Sequence, residues 1–319
     1  MTKARTLCLA AIAIALIISC GVPAKEYQYS NFLFGAQCNI RFQFIHEARA
    51  REMIDVIDLE LTRLDSLLNY FSEASLVSEL NRASRVRAPS DIIFLFTLCD
   101  SVSRLTDGLF DITVAPLLEA WGFYSGEMKM PMAREIERAR NLIGYEKVTI
   151  RGDSVFIEPS MRVDLGGIAQ GFAADRAADI LRQNHVKSAL IDIGGEILAI
   201  GRSPEQRPWR VGIKNPRGEG IVETVELDDS AVSTSGDYEK FFMIEGKRYP
   251  HIIDPRTGMP AREFASVTVF SRDAAFCDAI STAAAVIGGK RAIDFLDSLG
   301  ITGIIYYDQD NVLARTSNR

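Results

Sequence analysis

Residues 161–183 read MRVDLGGIAQGFAADRAADILRQ, and this stretch sets the frame for the rest of the chain. An apolar run ending near Asp164 predicts a strand over Met161–Leu165. Gly166 and Gly167 then make a tight turn, and a helix is expected through about Gln183. Glycines at a strand-to-helix turn let backbone approach a ligand closely, and a helix N-terminus offers free N–H groups and a positive dipole end to phosphate. The spacing G-G-x-x-x-G matches neither the dinucleotide-binding G-x-G-x-x-G nor a P-loop with its lysine. A turn with no ligand accounts for these residues equally well.

Working toward the C-terminus, strands are expected over Ala189–Ile193, then past a second Gly-Gly turn to about Ile213, over 221–227, 231–235 and 240–244, and at Ser266–Phe270. Helices follow at Cys277–Val286 and Ala292–Leu299, with a final strand at Gly303–Tyr307. Toward the N-terminus, residues 31–44 (NFLFGAQCNIRFQF) alternate as two strands broken near Gly35. Met53, Ile54, Ile57, Leu61, Leu64, Leu67 and Leu68 fall at helical spacing within 47–69. Further helices are expected over 90–106 and Arg134–Leu142, and a hairpin over Val148–Ile157. Meandering strands with inserted helices predict an α+β fold rather than a doubly wound sheet, in one catalytic domain without internal repeats.

The bulk numbers agree with a globular protein. At 319 residues with 47% hydrophobic and 24% charged side chains, the chain can bury a large core. A net charge of −6 gives no electrostatic footprint for nucleic acid. An acidic protein that handles phosphate needs a helix N-terminus, local cations or a metal.

The first residues read as a targeting segment. Lys3 and Arg5 precede the apolar run Leu7–Ile18, which is short for a membrane-spanning helix and suited to a signal peptide. Ile17-Ile18-Ser19-Cys20 resembles a bacterial lipobox. The expectation is therefore a signal peptide over 1–19, a lipidated tether over 20–30 and the catalytic domain over 31–315. Cys20 would then hold the protein to a membrane of the cell envelope, facing the periplasm or exterior. A transmembrane anchor with a chance cysteine is the alternative. Cys38, Cys99 and Cys277 lie in apolar patterns and read as core residues rather than as a disulfide frame.

Four further segments bear on chemistry. In FCDAISTAAAVI (276–287), Asp278 and Thr282 stand at i and i+4, with Ser281 between them, on one face near a helix start. Hard oxygens of this kind suit Mg²⁺, although an acid near a helix N-terminus and a back-bonding Thr explain the same pattern. In HIIDPRTGMP (251–260) His251 precedes consecutive turns at Asp254-Pro255 and Thr257-Gly258; beside Ile252 and Ile253 it reads first as a satisfied core residue, while Arg256 and Arg262 give the loop positive charge for an anionic ligand. TDGLFDITVAPLLEAWGF (106–123) is an unusually apolar loop, either a pocket wall or a core crossing. STSGDY (233–238) reads as a turn after a strand, with no catalytic role for its serines. There is no Gly-x-Ser-x-Gly or His-Glu-x-x-His motif.

Together with ALIDIGGEI (189–197), AVSTSGDYEKFF (231–242) and SVTVF…CDAIST (266–282), these segments resemble, in order, the FAD:protein FMN transferase family, known as ApbE. The resemblance runs from about Phe34 to Ile305. It implies a single T-fold-like domain of mixed, largely antiparallel sheet with inserted helices. FAD would be the substrate, Mg²⁺ the metal and a protein bearing a Thr or Ser the acceptor. By this resemblance Asp164 contacts FAD, and the second glycine after it, Gly167, gives the metal a backbone carbonyl. Asp278 and Thr282 give side-chain ligands, with Ser281 also close. Leu109, Phe110 and Asp111 line the flavin, and Ile253 contacts FAD through its backbone.

The chain also departs from the family pattern. Phe34-Gly35-Ala36 stands for the usual Met-Gly-Thr, and Asn69-Tyr70-Phe71 for Ser-Thr-Tyr. Phe34 and Phe71 can still stack on FAD rings, without the hydroxyls. Gln170 replaces the common Lys and removes a positive charge near the phosphates. The expected reaction is attack of the acceptor hydroxyl on the FMN-side phosphorus with AMP leaving. His251 and Asp278 are both candidates for the base. An FAD pyrophosphatase and a non-catalytic FAD-binding lipoprotein are the competing readings.

Overall fold

Alternation builds the sheet. In the strand Ala36–Phe44, Cys38, Ile40 and Phe42 point inward and are buried, whereas Gln37, Asn39 and Arg41 face out. The computed structural model describes residues 23–127, 129–307 and 313–317; Cys20 and the expected signal segment lie outside them. Within it, eight strands form one sheet: β1 (Lys25–Leu33), β2 (Ala36–Phe44), β3 (Ser188–Ile193), β4 (Glu196–Gly201), β5 (Ala231–Gly236), β6 (Ser266–Ser271), β7 (Thr302–Tyr306) and β8 (Leu313–Arg315). Each pairs antiparallel with the next, so the sheet is a meander interrupted by helical excursions. This is the α+β architecture expected from the pattern of elements.

Among the described residues the excursions carry eight α-helices: α1 (Glu47–Leu68), α2 (Leu76–Ala83), α3 (Ser90–Leu105), α4 (Ala115–Ala120), α5 (Ala133–Arg140), α6 (Ala169–Gln183), α7 (Ala274–Ile287) and α8 (Gly289–Ser298). Helix α1 buries Met53, Ile57, Leu61, Leu64 and Leu68, the stripe its sequence spacing predicts. It packs beside α6, α6 packs beside α7, and these helices cover one face of the sheet, α6 over β3 and β4 and α7 over β5 and β6. Cys38, Cys99 and Cys277 are buried free thiols, as expected. Among the described residues no helix is long and apolar enough to cross a membrane.

Four expectations need correction. Lys25–Ser30, read as tether, forms the first half of β1, where Tyr29 is buried and its hydroxyl donates to Asp58 on α1 at 2.9 Å. Met161–Leu165 is extended but joins no ladder. Asn81 substitutes for a neighbouring strand, its amide donating to Val163 O at 2.9 Å and its Oδ1 accepting from Val163 N at 2.7 Å. Asp164 N donates to Ile112 O at 2.7 Å, so the backbone is satisfied without a sheet. Helix α7 begins at Ala274, which places Asp278 in its second turn rather than at its start. The strand ending near Tyr307 is followed by β8, and helices α2 and α4 were not foreseen.

Two features of the fold make room for a site. Strands β4 and β5 pair only through Leu198–Ala231 and Ile197–Val232. Beyond Ile197 and Val232 the two strands part, and Glu196 and Ser235 lie in that opening. Helices α6 and α7 also meet very closely at Gly171. A Cβ there would fall 2.5 Å from Ala274 O and 2.8 Å from Ala275 Cα, so only glycine permits the contact.

Candidate active site

The close helix pair caps itself in both directions. Asp175 on α6 accepts from the first-turn amides of α7, Ala274 N at 2.8 Å and Ala275 N at 2.9 Å. Asp278 on α7 accepts from Gly171 N, in the first turn of α6, at 3.1 Å. Each carboxylate meets free N–H groups and a positive dipole end. Burial is the main influence on both acids and pushes their pKa values up, Asp175 to about 6 and Asp278 to about 7, against these hydrogen bonds.

In front of Asp278 lies a cavity of about 410 Å³, within the usual range for small-molecule sites. It brings together Phe34, Phe71, Leu109, Phe110, Asp111, Asp164, Gly167, Gln170, His251, Ile253, Asp278 and Thr282. One end is polar, where Asp278 and Thr282 neighbour Glu196, Ser235 and Glu239; Lys240 and His251 line the cavity as well. Gly167 stands beside this group, since a Cβ on it would come 3.5 Å from Thr282 Oγ1 and 3.6 Å from Phe110. The other end is aromatic: Tyr70 stacks on Tyr124 at 4.2 Å between centroids, and Phe71, 67% exposed at the rim, meets Tyr124 edge-on.

Several walls are held by local chemistry. Asp111 caps a short 3₁₀ turn, accepting from Thr113 N at 2.8 Å and Thr113 Oγ1 at 2.7 Å, and burial raises its pKa to about 6. Asp164 accepts from Gly166 N at 2.8 Å and from the Tyr124 hydroxyl. Phe34 has φ +55° in the two-residue turn between β1 and β2, a conformation an aromatic residue rarely adopts. The turn is tied down by Phe34 N donating to Asp65 Oδ1 at 2.8 Å and by Gln170 Nε2 donating to Phe34 O at 3.2 Å.

His251 lines the cavity and sits edge-on to Phe123. Its Nδ1 lies 3.2 Å from Lys240 O, a carbonyl that can only accept, so Nδ1 carries the hydrogen and Nε2 keeps its lone pair. Desolvation, and secondarily the Lys240 charge, lower its pKa to about 4. The ring is therefore neutral at pH 7.

Other predicted positions lie elsewhere. Ser281 is fully buried behind the wall, with its hydroxyl engaged by Ser233, Ser235 and Asp278 O. Neither Arg256 nor Arg262 lines the cavity: Arg256 pairs with Asp254 at 3.0 Å, and Arg262 lies over the Tyr249 ring. The segment 106–123 proves to be both alternatives, a wall at Leu109–Asp111 and a core crossing at the fully buried Trp121.

Residues not singled out from sequence complete the site. Glu196 is 6% exposed, its Oε2 has no hydrogen-bond partner, and burial followed by the nearby Asp278 charge raises its pKa well above the ordinary range. Its position directly after a Gly-Gly turn was the one available signal. Ser235, Glu239 and Lys240 lie in the family-like segment 231–242, whose serines were expected to play no catalytic part, and Tyr124 carried no signal. Among the described residues lining the cavity, Asp65, Asp111, Asp164, Glu196, Glu239 and Asp278 are acids, and Lys240 is the sole Lys or Arg. Such a wall receives a phosphate poorly unless a further cation enters with it.

Comparison with known proteins places this geometry. Residues 34–305 match the family model described as the ApbE family. A Vibrio cholerae protein named FAD:protein FMN transferase is 30% identical over 295 residues, covering 89% of this chain and 88% of its own length. A crystal structure of the ApbE protein of Thermotoga maritima superposes with a TM-score of 0.85 at 32% identity, covering 92% of this chain and 97% of that one. The flavinyl transferase ApbE of Pseudomonas stutzeri, in its apo form, gives 0.85 at 31% identity, with 93% and 96% covered.

Proposed function

The chain belongs to the ApbE family, and from that premise we propose that it transfers FMN from FAD to a Thr or Ser hydroxyl of an acceptor protein, with AMP released. The observation that carries this reading is the two-ended cavity: an aromatic end suited to FAD's rings, and a polar end where Asp278, Thr282, Gly167 and the N-terminus of α6 converge.

The polar end fits Mg²⁺ by the chemistry of its donors. Asp278 offers a carboxylate and Thr282 a hydroxyl, both on the cavity surface, and the Gly167 backbone adjoins Thr282. These three would hold the ion. Ser281, with its hydroxyl already engaged, would not face it directly. When bound, Mg²⁺ would offset the charge of the FAD diphosphate and of the departing AMP.

The remaining chemistry falls to the chain's own groups. His251 lines the cavity and, as the neutral ring, keeps a lone pair on Nε2, so in this reading it takes the proton of the attacking hydroxyl. Asp278 is already committed to Gly171 N and, in this reading, to the metal, which favours His251 as the base. The acceptor oxygen bonds to the FMN-side phosphorus as the bond to the AMP oxygen breaks. Phe110, Leu109 and Ile253 are buried in the wall and exclude water that would otherwise hydrolyse FAD. The acid-rich wall is tolerable in this scheme because burial holds several of these acids toward their neutral forms before the ion binds.

We further propose that Cys20 carries the lipid that holds the enzyme to the cell envelope, on the strength of the apolar run and the Ile-Ser-Cys that ends it. The catalytic reading is tested by AMP release from FAD in Mg²⁺. Wild-type protein should release AMP, and Asp278→Asn, which keeps an acceptor for Gly171 N but loses the charge, should not. AMP release undiminished in this variant contradicts the proposed site.

A further inference from the structure

Ser281 makes three hydrogen-bond contacts with one hydrogen to give. Its Oγ lies 2.9 Å from Asp278 O, 3.1 Å from Ser233 Oγ and 2.7 Å from Ser235 Oγ. A backbone carbonyl only accepts, so the Ser281 hydrogen belongs to Asp278 O. Both remaining contacts can then be hydrogen bonds only if Ser233 and Ser235 donate to Ser281. Ser235 has spent its single hydrogen, yet its Oγ also lies 3.4 Å from Thr282 Oγ1. Where that longer contact is a hydrogen bond, Thr282 is its donor. With its hydrogen directed at Ser235, Thr282 would present lone pairs to the cavity that it lines.

We propose that Ser281 is a positioning residue: through Ser235 it fixes the hydroxyl of Thr282 as a pure acceptor, and so tunes the site for a hard cation rather than for a phosphate oxygen. The inference rests on the metal reading of Asp278 and Thr282 given above. It also explains why a side chain with no exposure and no place on the cavity surface is polar. An alanine in that position would leave the Ser235 hydrogen free to turn toward Thr282, and Thr282 would then be free to point its own hydrogen at the incoming cation.

The test is a double-mutant cycle on metal affinity, read without turnover. Mn²⁺, a hard cation with a paramagnetic signal, is titrated into the full-length protein without FAD, and free Mn²⁺ is followed by electron paramagnetic resonance. Ser281→Ala should weaken Mn²⁺ binding by roughly 10- to 100-fold, the usual effect of removing a group that orients a ligand. Thr282→Val should cost a similar factor. The double variant should bind no more weakly than Thr282→Val alone, because Ser281 acts only through Thr282. A merely structural serine would instead give losses that multiply, and that result overturns the proposal, as does wild-type affinity in Ser281→Ala. Ser235→Ala breaks the same chain at a half-buried position, so it must show the same non-additivity even if Ser281→Ala folds poorly. Asp278→Asn separates the two readings. If it binds Mn²⁺ like the wild type, the metal reading fails and this proposal with it. If it abolishes binding while the Ser281 and Thr282 losses multiply, this proposal alone fails.

Discussion

Replacing Gly171 by alanine should damage the protein at its centre, although alanine is the better helix former. The added Cβ would meet Ala274 O at 2.5 Å, Ala274 C at 2.7 Å and Ala275 Cα at 2.8 Å. These are backbone atoms that cannot swing aside, so α6 and α7 must separate. Overpacking of this kind costs roughly 1–3 kcal/mol. Separation also stretches the Gly171 N–Asp278 bond, 3.1 Å in the native protein, and a hydrogen bond to a charged group contributes about 1.5–3 kcal/mol. Helix propensity returns about 1 kcal/mol, leaving a net loss of roughly 1.5–5 kcal/mol. Urea unfolding followed by far-ultraviolet circular dichroism measures it directly, and Mn²⁺ affinity should fall in the same variant because Asp278 is displaced. A variant equal to wild type, or stabler by the propensity difference, would refute the account of the α6–α7 contact.

His251→Gln should lower the transfer rate by about 10²- to 10⁴-fold, the usual loss for a general base, with FAD affinity little changed; a smaller loss in stopped-flow assays returns the base to Asp278. His251 also predicts a pH effect on stability. Its folded pKa is depressed to about 4 from an ordinary 6.5, so its contribution is present above pH 6.5 and lost as pH falls through about 4. The wild type should therefore lose stability over that window more steeply than His251→Gln, in urea melts at matched pH. Gln170→Lys should restore the missing positive charge and tighten FAD binding; an unchanged dissociation constant by flavin fluorescence counts against a phosphate near residue 170. Cys20→Ala should yield a mature protein without the mass of a lipid, and a wild-type N-terminus other than Cys20 would end the anchor reading.

What the sequence made legible was local. The helix α1 could be read because its apolar residues recur at 3.6-residue spacing, and Asp278 and Thr282 because one helix turn fixes their relation. The expected strand at Met161–Leu165 looked right because its residues are extended and apolar, but what pairs with them is the Asn81 side chain, which no period reveals. Glu196, Ser235 and Lys240 lie in the family-like segments 189–197 and 231–242, but that they come together was invisible for another reason. Their meeting depends on β4 and β5 pairing through two residues and then parting, a matter of register between distant segments. Arg256 and Arg262 misled because charge in a loop says nothing about the partner already waiting for it, here Asp254 and the Tyr249 ring. The assignment of Ser281 as a possible ligand put the residue near the site but on the wrong side of its wall.

The central claim is that this cavity moves FMN from FAD onto a protein hydroxyl. The most direct measurement is the intact mass of an acceptor protein, incubated with the enzyme, FAD and Mg²⁺, alongside quantified AMP. The account predicts that the acceptor gains the mass of one FMN phosphoester, that AMP appears in equal amount, and that both vanish when the acceptor Thr is replaced by Ala. Free FMN and AMP in equal amounts beside an unmodified acceptor would contradict it and make the protein a pyrophosphatase, and intact FAD held without cleavage would make it a carrier.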